Sequence, residues 1–168
     1  TLYDNGNQPQ DYWHIILRPS GSINASPADM AKFVQFYLDR GRVDGVPLVS
    51  EASLQRMERA ETTAGARAGL EVGYGLHNYS TSHKHFVFRA HYGGVNGGLT
   101  ELAYLHQAGI GHAIMINSGD GEAMREIIRL VRAFETRNLV PPVVETQDVV
   151  TDKHRSIEGY YYPINPRQ

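Results

Sequence analysis

His85-Phe86-Val87-Phe88-Arg89-Ala90-His91-Tyr92-Gly93-Gly94-Val95-Asn96-Gly97-Gly98-Leu99-Thr100-Glu101-Leu102-Ala103-Tyr104-Leu105 is the stretch that decides the fold. Phe86, Phe88 and Ala90 alternate with His85, Val87 and Arg89, which is the period-two pattern of a half-buried strand. Leu99–Leu105 reads as a second strand, and a glycine-rich turn lies between the two. Glycine at that density lets a backbone bend, or approach another group where a side chain would clash. His91 stands at the lip of this turn, either as a site residue or as a plain strand-end histidine.

Further strands are expected at Gly73–Tyr79 and His112–Asn117, with Gln107-Ala108-Gly109 closing a hairpin. Tyr12–Leu17 is a short apolar run with the character of a strand or buried extended segment. Helices flank this series. Ser26 is an N-cap before Pro27, Asp29 lies in the first turn, and Gly41 closes the helix. Met30, Phe33, Val34, Tyr37 and Leu38 form its apolar face. After the short extended piece Val46–Val49, Ser50 caps a second helix with Leu54 and Met57 inward, and Glu61–Glu71 reads as a loop. Gly119-Asp120-Gly121 opens a last helix with Met124, Ile127, Ile128, Val131 and Phe134 on one face. Helices segregated from a run of antiparallel strands make an α+β fold.

Composition narrows the function classes. A net charge of -2 with no long block of one sign gives no sign of a nucleic-acid partner. Zero cysteines exclude disulfides, thiolate metal sites and a cysteine nucleophile. No apolar run reaches the roughly 18 residues of a membrane helix. Thr1-Leu2-Tyr3-Asp4-Asn5 lacks the charged start and apolar run of a secretory signal, so a mature form or a segment of something longer is expected. No metal or other cofactor is expected. His83-Lys84-His85 could touch a metal, but no third ligand lies nearby in sequence, and the reading preferred is a solvated hairpin tip. Arg18 and Asp29 could form a structural ion pair.

Four stretches, in order, carry a resemblance. They are Arg18-Pro19-Ser20-Gly21-Ser22-Ile23-Asn24-Ala25-Ser26-Pro27-Ala28-Asp29-Met30-Ala31, Gly41-Arg42-Val43-Asp44-Gly45-Val46-Pro47-Leu48-Val49-Ser50, Gly73-Tyr74-Gly75-Leu76, and His91-Tyr92-Gly93-Gly94 followed by a hairpin ending Met115-Ile116-Asn117-Ser118. Together they resemble the C-terminal half of the serine β-lactamase-like catalytic domain, the family of class C β-lactamases, penicillin-binding proteins, D-aminopeptidases and related esterases. The resemblance implies an antiparallel sheet with flanking helices and acyl-enzyme chemistry on an amide, lactam or ester. His91-Tyr92-Gly93 matches the family's Lys-Thr-Gly position, whose first residue is often His in the esterase and D-aminopeptidase branches. By that likeness His91 lines the pocket, positioning substrate or shuttling protons. Tyr92 and Gly93 lie on the substrate side, and the Gly94 N–H supplies one oxyanion donor. Asn96 either faces substrate or simply occupies the turn.

The departures are as informative. No serine is followed three positions later by a lysine, and the three lysines are Lys32, Lys84 and Lys153. Tyr3-Asp4-Asn5 has the family's Tyr-x-Asn form but lies too close to the Arg18–Ala31 stretch for that role. The nucleophile and its base are therefore expected in an N-terminal half outside these residues, with the segment alone inactive. The alternative is a non-catalytic ligand-binding or self-associating module of the same fold. Partners expected are a small-molecule or peptide substrate and a second copy covering the face left by the missing half. Family habit implies a periplasmic or secreted location. Residues 1–138 read as the catalytic-domain portion. Residues 139–168, from Pro141-Pro142 through Val143–Arg155 to Ile157–Pro163 with Tyr160-Tyr161-Tyr162, read as a linker and the start of a further element.

Overall fold

The computed structural model describes residues 1–12, 15–16, 20–21, 23–61, 63–67, 69, 73–143 and 159–160. Its centre is a four-stranded antiparallel sheet in the order β5-β6-β7-β8, formed by β5 (Tyr79–His83), β6 (Phe86–Val95), β7 (Gly98–Leu105) and β8 (Ile110–Ile116). Strands β1 (Leu2–Tyr3) and β2 (Pro9–Gln10) form a small ribbon, as do β3 (Arg42–Val43) and β4 (Val46–Pro47). Helices α1 (Pro27–Leu38), α2 (Glu51–Glu58), the short α3 (Ala64–Arg67) and α4 (Gly121–Glu135) complete the α+β architecture. The antiparallel sheet with flanking helices is as expected.

Capping chemistry sets the helix starts. The Ser26, Ser50 and Asp120 side chains accept from the Asp29 N–H, the Ser53 N–H, and the Glu122 and Ala123 N–H groups. Each satisfies donors that have no partner inside the helix. Two clusters then bury the faces of the sheet. Phe86, Phe88, Ala90, Ala103 and Leu105 form one, joined by Leu139. Val34 and Tyr37 of α1, Leu54 of α2 and Tyr104 form the other. Burying a side chain such as Phe88 contributes about 1.5–3 kcal/mol.

Several expectations are corrected. Gly73–Tyr79 is a loop with an isolated bridge between Tyr74 and Tyr79, and pairing begins only at Tyr79. The glycine stretch is not one long turn: Gly93 and Gly94 lie inside β6, and only Asn96 and Gly97 turn. Lys84 and His85 make the β5–β6 turn, both at positive φ (47° and 70°), the twist a two-residue hairpin prefers. They are exposed at a hairpin tip, and among the described residues no group of three metal-ligating side chains occurs. Glu61–Glu71 contains α3. Tyr12 and Ile16 lie outside any strand and are 73% and 97% exposed, with Trp13, His14 and Leu17 outside the described residues. Arg18 is likewise outside them, while Asp29 pairs with Lys32 at 3.2 Å. Of the region after Pro142, only Val143, Gly159 and Tyr160 are described, and all three are exposed. The Gln107-Ala108-Gly109 hairpin is present as a 3-10 turn, His106–Ala108, ended by left-handed Gly109.

Two expected core aromatics are outside. Phe33 is 45% exposed and stacks on Phe36 and Tyr37 instead of the sheet. Phe134 is 64% exposed, because the inward positions near the end of α4 are taken by charge. Arg132 Nη2 donates to Glu101 Oε1 at 2.8 Å, its Nη1 donates to Thr81, and its guanidinium lies 5.1 Å from the Phe88 ring centroid. His112 bridges Glu101 at 3.1 Å and Glu135 at 2.9 Å. Burial pushes the His112 ring down, but the hydrogen bonds and charges of Glu101 and Glu135 outweigh it and hold the ring above 6.5.

This buried cluster ties α4 to β5, β7 and β8. Glu101→Ala strands Arg132 without its partner and is expected to cost about 3–5 kcal/mol in urea denaturation. A ring raised by folding contributes stability that is complete below about pH 6.5 and is lost as pH rises through the folded value. The stability gap between the native chain and His112→Gln is therefore expected to narrow as pH rises above about 6.5. A gap that is constant or widens would contradict the assignment.

Candidate active site

The strand carrying His91 has two different halves. Phe86–Ala90 pairs with β5, register Tyr79 to Ala90 through His83 to Phe86. Arg89–Val95 pairs with β7, from Tyr104 to Gly98. From His91 to Val95, β6 thus has a strand partner on the β7 side only, among the described residues. A half-strand with a free edge presents unpaired N–H and C=O groups to anything extended that lies beside it.

Alternation along β6 sorts the expected site residues between two faces. His91 and Gly93 share the face of Arg89 and Val87. Tyr92 and Gly94 share the other, with Tyr92 opposite Glu101. The His91 and Tyr92 side chains are therefore on opposite sides of the sheet. Asn96 is at the hairpin tip beyond the strand, lining a shallow cavity of about 470 Å³ with Asp4, Asn5, Gly97 and Gly119. His91 does not line that cavity. Tyr3 is tied there by backbone bonds from its N–H to the Gly97 and Asn117 carbonyls.

Gly93 and Gly94 lack side chains for different reasons. A Cβ on residue 93 would lie 2.5 Å from Thr100 Oγ1, so a side chain there would force the threonine to turn aside. A Cβ on residue 94 would meet only Leu99 at 3.4 Å and Tyr92 at 3.6 Å, ordinary contacts at an exposed position. The fold does not demand a glycine at 94. Its bare backbone keeps the free edge clear.

Tyr74 stands beside His91 and drew no notice as a site residue in the sequence. Its hydroxyl is 2.7 Å from His91 Nε2, with the rings edge to face at 6.0 Å. Tyr79 completes the group, its ring 6.0 Å from Tyr74 and 6.2 Å from His91. The loop holding Tyr74 is closely determined. Gly73 has φ +139°, and a Cβ there would lie 2.7 Å from Thr63 Oγ1. A Cβ on Gly75 would collide with the Met57 carbonyl oxygen at the end of α2. The Gly75 N–H donates to the Asn78 carbonyl, the Leu76 N–H to the Met57 carbonyl, and the Ser80 N–H to the Gly73 carbonyl. The signal available in sequence was the tyrosine between two glycines in Gly73-Tyr74-Gly75-Leu76.

Behind this group lies a polar network. His77 stacks on Tyr37 at 5.1 Å, and Tyr37 on Tyr104 at 4.9 Å. Asn78 Nδ2 donates to the Tyr104 hydroxyl, which donates to Glu58 at 2.7 Å, and Arg40 donates to the same carboxylate at 2.8 Å. Burial lowers the His77 ring below 6.5, with Glu58 opposing and His91 adding to the effect. Burial, then Glu58, pushes Tyr37 up to about 12. These groups hold the loop from the inside. Arg40, Glu58 and Tyr104 of this network also line a cavity of about 340 Å³, with Glu51, Arg89 and His106.

A family model described as Beta-lactamase matches residues 2–135. No curated protein matches the chain.

Gly75→Ala must displace either the end of α2 or the Tyr74 loop. It is expected to cost about 1–3 kcal/mol in urea denaturation. Gly94→Ala meets no such obstacle and is expected to stay within about 0.5 kcal/mol of the native chain.

Proposed function

This chain belongs to the beta-lactamase family, and we propose that it forms the substrate-side wall of a serine hydrolase site acting on an amide, lactam or ester carbonyl. The observation that carries this reading is the free half-edge of β6, with His91 at its start and the bare Gly94 backbone within it. A substrate extended along that edge pairs with the strand. Its carbonyl comes to the Gly94 N–H, which stabilises the oxyanion as a serine oxygen bonds to the carbonyl carbon. The serine's proton passes through the site's base to the leaving group. Water then releases the acyl group by the reverse sequence of proton transfers. His91 lines the pocket, orienting the substrate or relaying a proton; Gly93 keeps that face of the strand flat, and Tyr92 takes part from the other face. Asn96, at the hairpin tip, either faces the far end of the extended substrate or simply forms the turn.

The serine and its lysine come from outside these 168 residues, since no Ser-x-x-Lys occurs in them. That same observation favours a second reading, a ligand-binding module of the family that keeps the strand without the chemistry. A periplasmic or secreted location accords with either reading.

The chain as given is expected to turn over neither nitrocefin nor p-nitrophenyl acetate. A longer protein that supplies the Ser-x-x-Lys is expected to hydrolyse an ester or amide, with His91→Ala lowering kcat/KM by about 10²–10⁴. Robust turnover by the 168-residue chain, lost in His91→Ala, would place the nucleophile within it. No turnover by the longer protein would favour the binding module. Strand β8 pairs only with β7 among the described residues, and Met115 on it is exposed. A second copy is expected to cover that edge, giving a dimer in light scattering; a clean monomer would count against the missing-half view.

A further inference from the structure

We propose that Tyr74 is a positioning residue for His91, donating its phenol hydrogen to Nε2 and so holding the ring in the Nδ1–H form. The inference rests on the reading of His91 as a site residue and says which way that residue faces chemically. With Nε2 occupied, the imidazole meets a substrate oxygen as a hydrogen-bond donor through Nδ1.

Geometry and chemistry both select this direction. The O···N separation is 2.7 Å, a short bond for a neutral pair. A phenol hydroxyl is a good donor, and the unprotonated nitrogen of a neutral imidazole is a good acceptor. The reverse arrangement would place an imidazole N–H on a phenol oxygen, which is a poorer acceptor. His91 makes no other hydrogen bond to a described residue, so the tautomer is set by this one contact. Tyr79 touches both rings but has no hydrogen bond to either.

Tyr74 is also held in place before any ligand arrives. Its neighbours Gly73 and Gly75 are packed against Thr63 and Met57, and three backbone bonds close the loop around it. A phenol on a fixed loop orients an exposed ring that would otherwise choose among rotamers and tautomers. The groups facing His91 from the packed elements are Tyr74, Tyr79 and His77. Of these, Tyr74 alone is within bonding distance of the ring.

The test uses the 168-residue chain labelled with 15N in its histidine rings. Two-bond 1H–15N correlations, recorded at a pH where His91 is neutral, distinguish the two tautomers directly. The native chain is expected to show the Nδ1–H pattern at His91. Tyr74→Phe keeps the ring and its packing, and is expected to lose that pattern in favour of Nε2–H. Tyr79→Phe is expected to leave it unchanged. An Nε2–H pattern in the native chain, or an unchanged pattern in Tyr74→Phe, would overturn the proposal. The readout needs no turnover, so its failure is separable from that of the hydrolase reading. An Nδ1–H ring in a protein that hydrolyses nothing defeats only the hydrolase.

Discussion

The carbonyl oxygen of Met57 occupies the space that a side chain on residue 75 would need. That single close approach joins the end of α2 to the loop leading into β5. The loop carries Tyr74 onto His91 and delays the first β5 pairing until Tyr79 meets Ala90. Beyond that register, β6 has no outer strand partner among the described residues, and its glycines lie on that edge. The candidate site thus lies just past the point where β5 begins, and the close approach at Gly75 packs the loop that leads there. The inner network of His77, Asn78, Tyr104, Glu58 and Arg40 supports the same loop with bonds that a low-dielectric surrounding strengthens.

The opposite face of the sheet is held differently. There, Glu101 occupies a strand position whose alternate neighbours, Ala103 and Leu105, are buried and apolar. A buried carboxylate demands partners, and Arg132, with His112 and Glu135 alongside, answers that demand. The cluster positions α4 more specifically than an apolar stripe would, since its bonds have direction. It also turns Phe134 outward, where Arg137 covers the ring at 3.7 Å from its centroid. The sheet is therefore fixed by charge on one side and by aromatic stacking on the other, and the His91 edge lies on the aromatic side.

Much of this was legible in advance. The alternation of Phe86, Phe88 and Ala90, the caps Ser26 and Ser50 and the helix start at Gly119-Asp120-Gly121 depend on neighbours close in sequence, and the structure agrees with them. The family likeness read from four motifs agrees with the match over residues 2–135. Gly73–Tyr79 departs from the expected strand because its conformation answers to Met57 and Thr63, which are distant in sequence. Phe134 departs from its expected core position because helical periodicity cannot reveal that Arg132 has a carboxylate waiting on β7. The pairing of Tyr74 with His91 is not legible locally, because nothing within a few residues of Tyr74 points to a histidine 17 positions away.

The sequence by itself determined the α+β class, the strand that bears His91, and the family, since each follows from local pattern and ordered motifs. Only the tertiary structure decided that His91 and Tyr92 face opposite sides, that a side chain at 93 would press on Thr100 while one at 94 would not, and that the Tyr74 hydroxyl reaches His91. Those outcomes depend on register and on contacts between distant segments. A shift of one residue in pairing reverses every side chain on a strand, and no local pattern contains that information.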